Sequence, residues 1–276
     1  VYKRQGYAQG RCHRLGQCHN SQIKAMEGIL RENKKMKPPN PGFSFFRIAQ
    51  GFEGVIIMIA CYITFFLKPL RNRWGLSKEE AKRKLPGDGL VIEPKTKFTH
   101  AVTINAPAEY VWPWVAQMGQ GRGGFYSYEA LENLIGLNIY NSDMVLTEFQ
   151  NPKIGDIIPF GPDGGYPIVI YEEGNAMAIE TKLNLETNIE YDPKIFIPEN
   201  YLHLSWLWYV EALNGNRSRF ISRNRVDYGP SLKAKLILGF FSEPIVYAMD
   251  RKMCLGIKKR AERLYKNKIE LESVPG

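Results

Sequence analysis

The sequence predicts an α+β domain in which one long C-terminal helix lies across a curved antiparallel sheet, preceded by an apolar helix near the N-terminus. Three observations predict this arrangement. Residues 202–228 alternate as a β-hairpin, residues 245–264 carry apolar side chains at helical spacing, and residues 55–67 are 13 residues without a charge. Strands followed by a separate long helix are typical of α+β domains.

The composition places the chain among globular proteins. Of its 276 residues, 44% are hydrophobic and 24% are charged, which excludes a wholly disordered, collagenous or coiled-coil chain. The net charge is +9, but residues 1–95 hold 18 basic and 7 acidic residues, whereas residues 96–276 hold 19 and 21. Because the basic excess belongs to the N-terminal third, we do not expect a nucleic-acid partner.

Residues 1–35 are predicted to be a non-native or disordered leader. Residues 1–5 resemble the translated end of a library adapter, and residues 6–25 show no hydrophobic periodicity. Two Cys-His dipeptides begin at Cys12 and Cys18, but no second pair follows at the spacing of a zinc finger. We therefore predict no metal site, and nothing in the sequence calls for a cofactor.

Residues 36–75 are predicted to be a membrane anchor followed by a basic segment. The stretch 48–70 reaches the length of about 20 residues that a spanning helix needs, with Glu53 and Lys68 near its ends. A signal peptide is not favoured, because no small-residue cleavage site follows Leu67. A buried core helix is the alternative that the sequence leaves open.

The basic residues around this stretch predict its orientation. Seven basic residues lie at 68–84, and they outnumber those upstream when the chain is counted from Met36. The positive-inside rule then predicts a single-pass anchor with the C-terminal domain in the cytoplasm. Residues 76–95 are predicted to be a linker.

The globular domain is predicted at residues 96–268, with residues 269–276 as a tail. It opens with a strand at 98–104, followed by short helices at 107–118 and 127–135, the second capped by a serine. Further strands are predicted at 156–160, 167–171, 176–181, 202–213 and 217–228. The final helix carries an apolar stripe at Ile245, Ala248, Met249, Met253, Ile257, Ala261 and Leu264.

Two runs of residues carry a family resemblance. One extends from Ile104 to Asn133 and includes Asn-Ala-Pro-Ala-Glu-Tyr-Val-Trp-Pro-Trp; the other extends from Glu243 to Met253 and ends in Met-Asp-Arg-Lys-Met. Over residues 70–265 the chain resembles the START-like (SRPBCC) superfamily, which includes bacterial polyketide cyclase/dehydratase-like proteins. The resemblance implies a helix-grip fold, with a cavity for hydrophobic molecules between the long helix and the sheet. These relatives often carry Trp and Asp where this chain has Phe125 and Glu129.

The expected cavity would be lined by aromatic, polar and sulfur-containing side chains of these runs and of the hairpin. The candidate ligand-binding residues are Trp112, Trp114, Gln117, Gln120, Arg122, Tyr126, Tyr128, Asn133, Trp206, Trp208, Arg223, Met249 and Met253. The structural alternative is that the aromatic residues are plain core and that Arg122 holds the helices together through a carboxylate.

Candidate catalytic residues are Glu129, Glu132 and Asp250, because acid–base chemistry needs a titratable group beside the substrate. The alternative for Asp250 is a surface ion pair with Arg251 or Lys252. No Ser–His–Asp pattern surrounds His100, for which a structural role is expected.

The sequence thus predicts binding or transfer of a hydrophobic small molecule or lipid in an internal cavity at the membrane surface. One alternative is a polyketide cyclase/dehydratase-like enzyme, which requires a cavity carboxylate with a raised pKa. The other is a non-enzymatic interaction module, which requires an exposed apolar patch and no cavity. We favour binding without catalysis.

Overall fold

The computed structural model describes residues 45–161 and 164–273. The predicted leader at residues 1–35, the first residues of the predicted anchor and the last three residues lie outside the described residues. The helices are α1 (Phe45–Ile63), α2 (Lys68–Arg71), α3 (Lys78–Lys82), α4 (Ala108–Ala116), α5 (Glu129–Leu134), α6 (Leu232–Ala234) and α7 (Ser242–Glu272). Short 3₁₀ helices lie at Phe65–Leu67 and Thr147–Phe149, and a π-helical segment, Lys235–Phe241, joins α6 to α7.

Seven strands form one antiparallel sheet. They are β1 (Thr96–Ile104), β2 (Ile157–Pro159), β3 (Gly165–Glu172), β4 (Ala176–Asn184), β5 (Ile189–Glu190), β6 (Tyr201–Leu213) and β7 (Arg217–Tyr228). Their order is β1-β7-β6-β4-β3-β2, and β5 pairs with β4. The predicted hairpin is confirmed, since Leu213 of β6 lies opposite Arg217 of β7. Gly215 and Asn216 in the connecting turn both have positive φ, which is common in the short turns of hairpins.

The long helix α7 packs across one face of the sheet, which we call the inner face. Its predicted apolar stripe is buried at Ala248 and from Met253 to Leu264, whereas Met249 is half-buried and Ile245 at its start is 48% exposed. Helix α4 packs against α7 and against β6 and β7 on the same side. The helix-grip fold predicted from the sequence is therefore confirmed.

The opposite, outer face of the sheet is covered by residues 72–95, which we call the strap. The strap adds backbone hydrogen bonds to the free edge of β1, from Thr99 N to the Asn72 carbonyl and from Ala101 N to the Trp74 carbonyl. Leu85 then packs with Ile221 and other apolar side chains of the outer face. The segment predicted as a linker is thus held along the sheet.

Helix α1 packs side-on against the domain, on α5 and α7. Gly51 and Gly54 allow this approach, because a Cβ at Gly54 would lie only 2.8 Å from Cδ1 of Leu131. Lys252 of α7 pairs with Glu53 at 2.8 Å. Within the described residues, α1 is the helix long and apolar enough to cross a membrane, and its other face is exposed.

Candidate functional site

The aromatic residues predicted to line a cavity do meet on the inner face. Trp114 and Trp208 are fully buried, and the rings of Trp206 and Trp208 lie 4.7 Å apart. Phe125 stacks on Trp206 at 5.8 Å, and Met253 of α7 belongs to the same apolar cluster. The β6 strand brings the two Trp side chains together because residues two apart point to the same face.

These side chains pack together under α7 in one buried apolar cluster. Pockets of about 440, 340 and 250 Å³ are found among the described residues, and none of these three lies between α7 and the inner face. Among the buried donors that meet no acceptor within the described residues are Nε1 of Trp114 and Nε1 of Trp208. Leaving such a group unpaired costs about 1–3 kcal/mol, so a polar ligand atom beside either indole would be stabilising.

Gln117 and Tyr126 hold the loops above this interior. The Gln117 side chain donates to the Met144 carbonyl at 3.0 Å and accepts from Leu146 N at 2.7 Å. Tyr126 donates its hydroxyl to the Trp114 carbonyl at 2.9 Å. Their polar atoms are thus used within the protein, in a structural role.

Arg122 and Asn133 have the same kind of role. Arg122 donates to the Ala116 carbonyl at 2.9 Å and lies over the Phe149 ring, rather than pairing with a carboxylate as the structural alternative predicted. Asn133 makes two hydrogen bonds to the backbone of Ile139, which fixes the turn after α5.

The remaining polar candidates lie around the start of α5. Gln120 is half-buried, and Tyr128 is fully buried with Lys252 Nζ 4.8 Å from the centre of its ring. Tyr128, rather than Ser127, precedes the first helical residue. The predicted serine cap is wrong because Ser127 Oγ instead donates to the carbonyl of Met249, tying α5 to α7 at 3.0 Å.

Two candidate carboxylates, Glu129 and Glu132, are buried side by side on α5. Glu129 accepts from Asn141 N at 2.6 Å, and its other oxygen lies 2.8 Å from Arg47 of α1. Burial, together with the charge of Glu129, raises the pKa of Glu132 to about 8. At neutral pH Glu132 is therefore mostly protonated, although the three pockets above do not reach it.

Asp250 lies at the centre of a buried polar network. One oxygen is 2.5 Å from His100 Nδ1 and the other accepts from Ser222 Oγ at 2.7 Å. His100 Nε2 lies 3.0 Å from the Arg71 carbonyl, and Trp206 donates its indole N–H to Ser222. A carbonyl can only accept, so His100 donates from Nε2 to the Arg71 carbonyl.

The predicted surface pair of Asp250 is wrong. Arg251 stacks over Trp74, and Lys252 pairs with Glu53, because both side chains point away from the sheet. Asp250 points toward the sheet instead and is 3% exposed.

The residues that sequence reasoning missed in this network are His100 as a partner and Ser222. They lie directly opposite each other on β1 and β7. Only the pairing of β1 with β7 places them together. The sequence indicated this network only through Asp250, which interrupts the apolar stripe of α7. Ser222 donates to Asp250 and not to His100, so the trio is not a nucleophile, base and orienting acid.

Arg223 lies away from the other candidates. It shares the outer face with Leu207, its partner across the β6–β7 pair, whereas the Trp residues of β6 face inward. Its guanidinium pairs with Asp88 of the strap at 2.7 Å and donates to Thr99 Oγ1 at 3.2 Å. Arg223 therefore holds the strap and does not line the interior.

A further exposed feature of the domain is apolar. The outward side of α1, the turn after it and the π-helical segment form a surface that we call the apolar face. It comprises Phe52, Ile56, Ile59, Ile63, Phe65, Phe66, Leu70, Leu236, Ile237, Phe240 and Phe241, each at least 46% exposed. Contiguous apolar surface of this kind marks an interaction site for a protein or a membrane.

Contacts between α1 and the π-helical segment make this face continuous. The Tyr62 ring lies 5.6 Å from Phe240 and 6.3 Å from Phe241. Lys68 donates to the Gly239 carbonyl at 3.1 Å, which joins the two segments at their ends.

No family model and no curated protein matches the chain. Solved structures do resemble it. A hypothetical protein from Helicobacter pylori is 13% identical over 64% of this chain and 95% of its own, with a TM-score of 0.38. Norcoclaurine synthase from Thalictrum flavum is 13% identical over 64% and 92%, with a TM-score of 0.32. A Polyketide_cyc-like protein from Corynebacterium glutamicum is 14% identical over 64% and 93%, with a TM-score of 0.28.

The Corynebacterium glutamicum protein carries the description Polyketide_cyc-like, the kind of protein that the sequence resembles. The low identities and TM-scores of these neighbours carry no argument about function. The fold assignment rests on the strand order and on the position of α7 in this chain.

Proposed function

We propose that this protein binds a hydrophobic molecule or lipid while its helix-grip domain is docked on the surface of a bilayer. The observation that carries the proposal is the apolar face, which joins α1 to the π-helical segment on one side of the domain. A bilayer would bury this face, and each fully buried large apolar side chain stabilises binding by about 1.5–3 kcal/mol.

The packing of α1 favours an orientation in the plane of the membrane. A single-pass orientation, as predicted from the sequence, would separate Glu53 from Lys252 and Arg47 from Glu129, and would uncover the surface around Gly54. An in-plane helix keeps those contacts and buries only its outward side, about 5–10 Å into the headgroup region. The basic residues after α1 favour the anionic cytoplasmic leaflet.

The inner face supports the ligand-binding part of the proposal. Its aromatic side chains would contact a hydrophobic ligand, and the unpaired indole N–H groups of Trp114 and Trp208 would orient a polar atom of that ligand. Because these side chains are buried and packed on one another, ligand entry requires some of them to move, and α7 or the loop carrying Phe125 is the part that covers them.

Vesicle flotation tests the docking. Replacing two residues of the apolar face, Phe52→Ser with Ile56→Ser, should lower the affinity for phosphatidylcholine vesicles at least tenfold, by the apolar area lost. Ile154→Ser is the matched control, since Ile154 is 67% exposed but lies outside the face. Equal binding of both variants would contradict docking through this face.

Mass spectrometry of organic extracts from the purified full chain tests the ligand. We expect one hydrophobic species to co-purify, and Trp208→Phe, which removes an unpaired donor, to change its amount. If no species is enriched and no lipid shifts the protein in native electrophoresis, binding is disproved. Self-association through the apolar face without vesicle binding would favour the interaction module instead.

A second candidate function is acid–base catalysis of the cyclase or dehydratase type. The observation that favours it is Glu132, a buried carboxyl whose pKa is raised to about 8. The extracted ligand, incubated with protein, should then lose water or gain a ring, and Glu132→Gln should abolish that conversion. A ligand recovered unchanged would contradict catalysis and leave binding as the function.

A further inference from the structure

A pocket of about 440 Å³ lies between the strap, α2 and the outer face of the sheet. Four basic side chains line it, from Arg73, Lys78, Lys82 and Lys97, and the eight lining residues include no acid. It lies on the opposite side of the sheet from the aromatic interior, so it is separate from the proposed ligand site.

The four cations differ from their basic neighbours in having no acidic partner. Arg219 of the same face pairs with Glu80, and Arg223 pairs with Asp88. Among the described residues, no ion pair is formed by the four that line the pocket. Burial, and then the charges of Arg223 and Arg225, lower the pKa of Lys97. Like charges held this close repel one another, and an anion would offset that repulsion.

Asn72 adds an amide side chain to the wall of the pocket. Its Oδ1 is buried without a hydrogen-bond donor among the described residues. Thr99, on the β1 side of the pocket, adds a hydroxyl that already accepts from Arg223.

The pocket adjoins the apolar face. Pro69 lines the pocket, while its neighbour Leu70 is 53% exposed and belongs to the apolar face. These two adjacent residues are separated by less than one helical turn of about 5.4 Å, which is small compared with the thickness of the headgroup layer. When the apolar face is buried, the pocket therefore lies at the depth of lipid phosphates.

We infer that this pocket binds the phosphate group of an anionic phospholipid at the edge of the apolar face. The inference rests on the proposed membrane docking. Arg73 supplies planar donors to phosphate oxygens, and the three lysines supply mobile charges. The occupant is a membrane lipid, and a free phosphate is the alternative source of the same chemistry.

Vesicles with and without phosphatidate, in a phosphatidylcholine background, test the inference with the full chain. Wild type should prefer the phosphatidate vesicles. The double variant Lys82→Gln with Lys97→Gln should reduce that preference about tenfold and leave binding to neutral vesicles unchanged. Ala81→Leu, which fills the pocket without changing charge, should have the same effect.

The matched control removes the same charge elsewhere. Lys233→Gln with Lys235→Gln changes two exposed lysines beside the apolar face but outside the pocket. An equal loss of the preference for phosphatidate vesicles in this control would overturn the inference, because general attraction between the basic protein and the anionic vesicle would then explain the preference. Wild type that binds neutral vesicles without preferring phosphatidate would overturn the inference alone, whereas wild type that binds neither would overturn the proposed docking.

Titration with inorganic phosphate in the absence of vesicles distinguishes the two sources. Weak binding that Ala81→Leu abolishes, together with the vesicle preference, supports a lipid phosphate. Tight binding of inorganic phosphate with no vesicle preference would assign the pocket to a soluble anion and overturn the inference.

Discussion

The buried side chain of Asp250 connects three parts of the fold through hydrogen bonds. Its carboxylate contacts His100 of β1 and Ser222 of β7 from helix α7, and His100 reaches the Arg71 carbonyl after α1. Each polar group in the network has a partner, which is the condition under which a buried charge is tolerated.

Asp250→Asn should destabilise the fold by about 3–5 kcal/mol, the cost of breaking a buried pair. Urea unfolding of the purified chain measures the change. Asp143→Asn is the control, because Asp143 pairs with Arg260 but its side chain is 64% exposed, and its loss should cost under about 1 kcal/mol. Similar values for both variants would show that the network contributes little.

Glu132 should make stability depend on pH. Its pKa is raised from 4.5 to about 8 in the folded state, so the folded chain retains a proton that the unfolded chain releases. Stability should therefore fall as the pH rises from 4.5 to 8, and level off above that range. Unfolding at pH 5 and at pH 8 measures the fall.

Glu132→Gln should remove that dependence, making the variant more stable than wild type at pH 8 by at least about 1 kcal/mol. At pH 5 the two should be similar, because the wild-type side chain is then neutral as well. A parallel pH dependence in wild type and variant would contradict the assignment of the raised pKa.

The strands and long helices were predictable from the sequence because each follows its own hydrophobic period. The predicted strand 217–228 matches β7 in both bounds, and five of the seven residues of the predicted α7 stripe are buried, the exceptions being Ile245 and Met249. The strap was not predictable, since Glu80 and Asp88 are polar and resemble a linker until their partners Arg219 and Arg223 are placed beside them. Contacts between segments so far apart carry no local signal.

Helix α1 illustrates the same limit. Its length and apolar character could be predicted, but its packing on α5 depends on Gly54, which the sequence does not distinguish from any other glycine. Gly54→Leu should force α1 away from Leu131 and cost about 1–3 kcal/mol, as overpacking does.

Hydrogen exchange over residues 45–63 measures that effect, with Ala60→Leu as the control on the exposed side of the same helix. We expect faster exchange in the Gly54 variant alone. Unchanged protection in that variant would show that α1 is not held on the domain by close approach.

Of the candidate site, the sequence named the aromatic residues and the three carboxylates that the structure buries, although it favoured a surface pair for Asp250. It placed Arg223 on the wrong side of the sheet, because strand alternation within β7 was visible but the pairing that orients it was not. Ser222 was missed for the same reason. The sequence therefore predicts the kinds of residue that form the site better than it predicts the face of the sheet on which each residue lies.

We propose a different partner for each of three parts of the molecule. The apolar face contacts the bilayer, the basic pocket binds a lipid phosphate, and the packed interior binds a hydrophobic ligand. The +9 charge of the chain is concentrated before residue 96, and three of those basic residues line the pocket beside the apolar face together with Lys97. Two acidic residues of the strap, Glu80 and Asp88, form ion pairs with the sheet. The basic residues and the apolar surface thus lie next to each other, on the side where a membrane would contact the protein.

The depth of α1 in a bilayer tests the account most directly. Spin labels on Phe52→Cys and, separately, on Ile63→Cys, with Cys12 and Cys18 replaced by serine, report depth from oxygen and nickel accessibility; Cys61 and Cys254 are buried. An in-plane helix predicts equal, shallow depths at both positions. Depths that differ by about 16 Å, the rise of 11 residues at 1.5 Å each, would show that α1 crosses the membrane and would contradict the account.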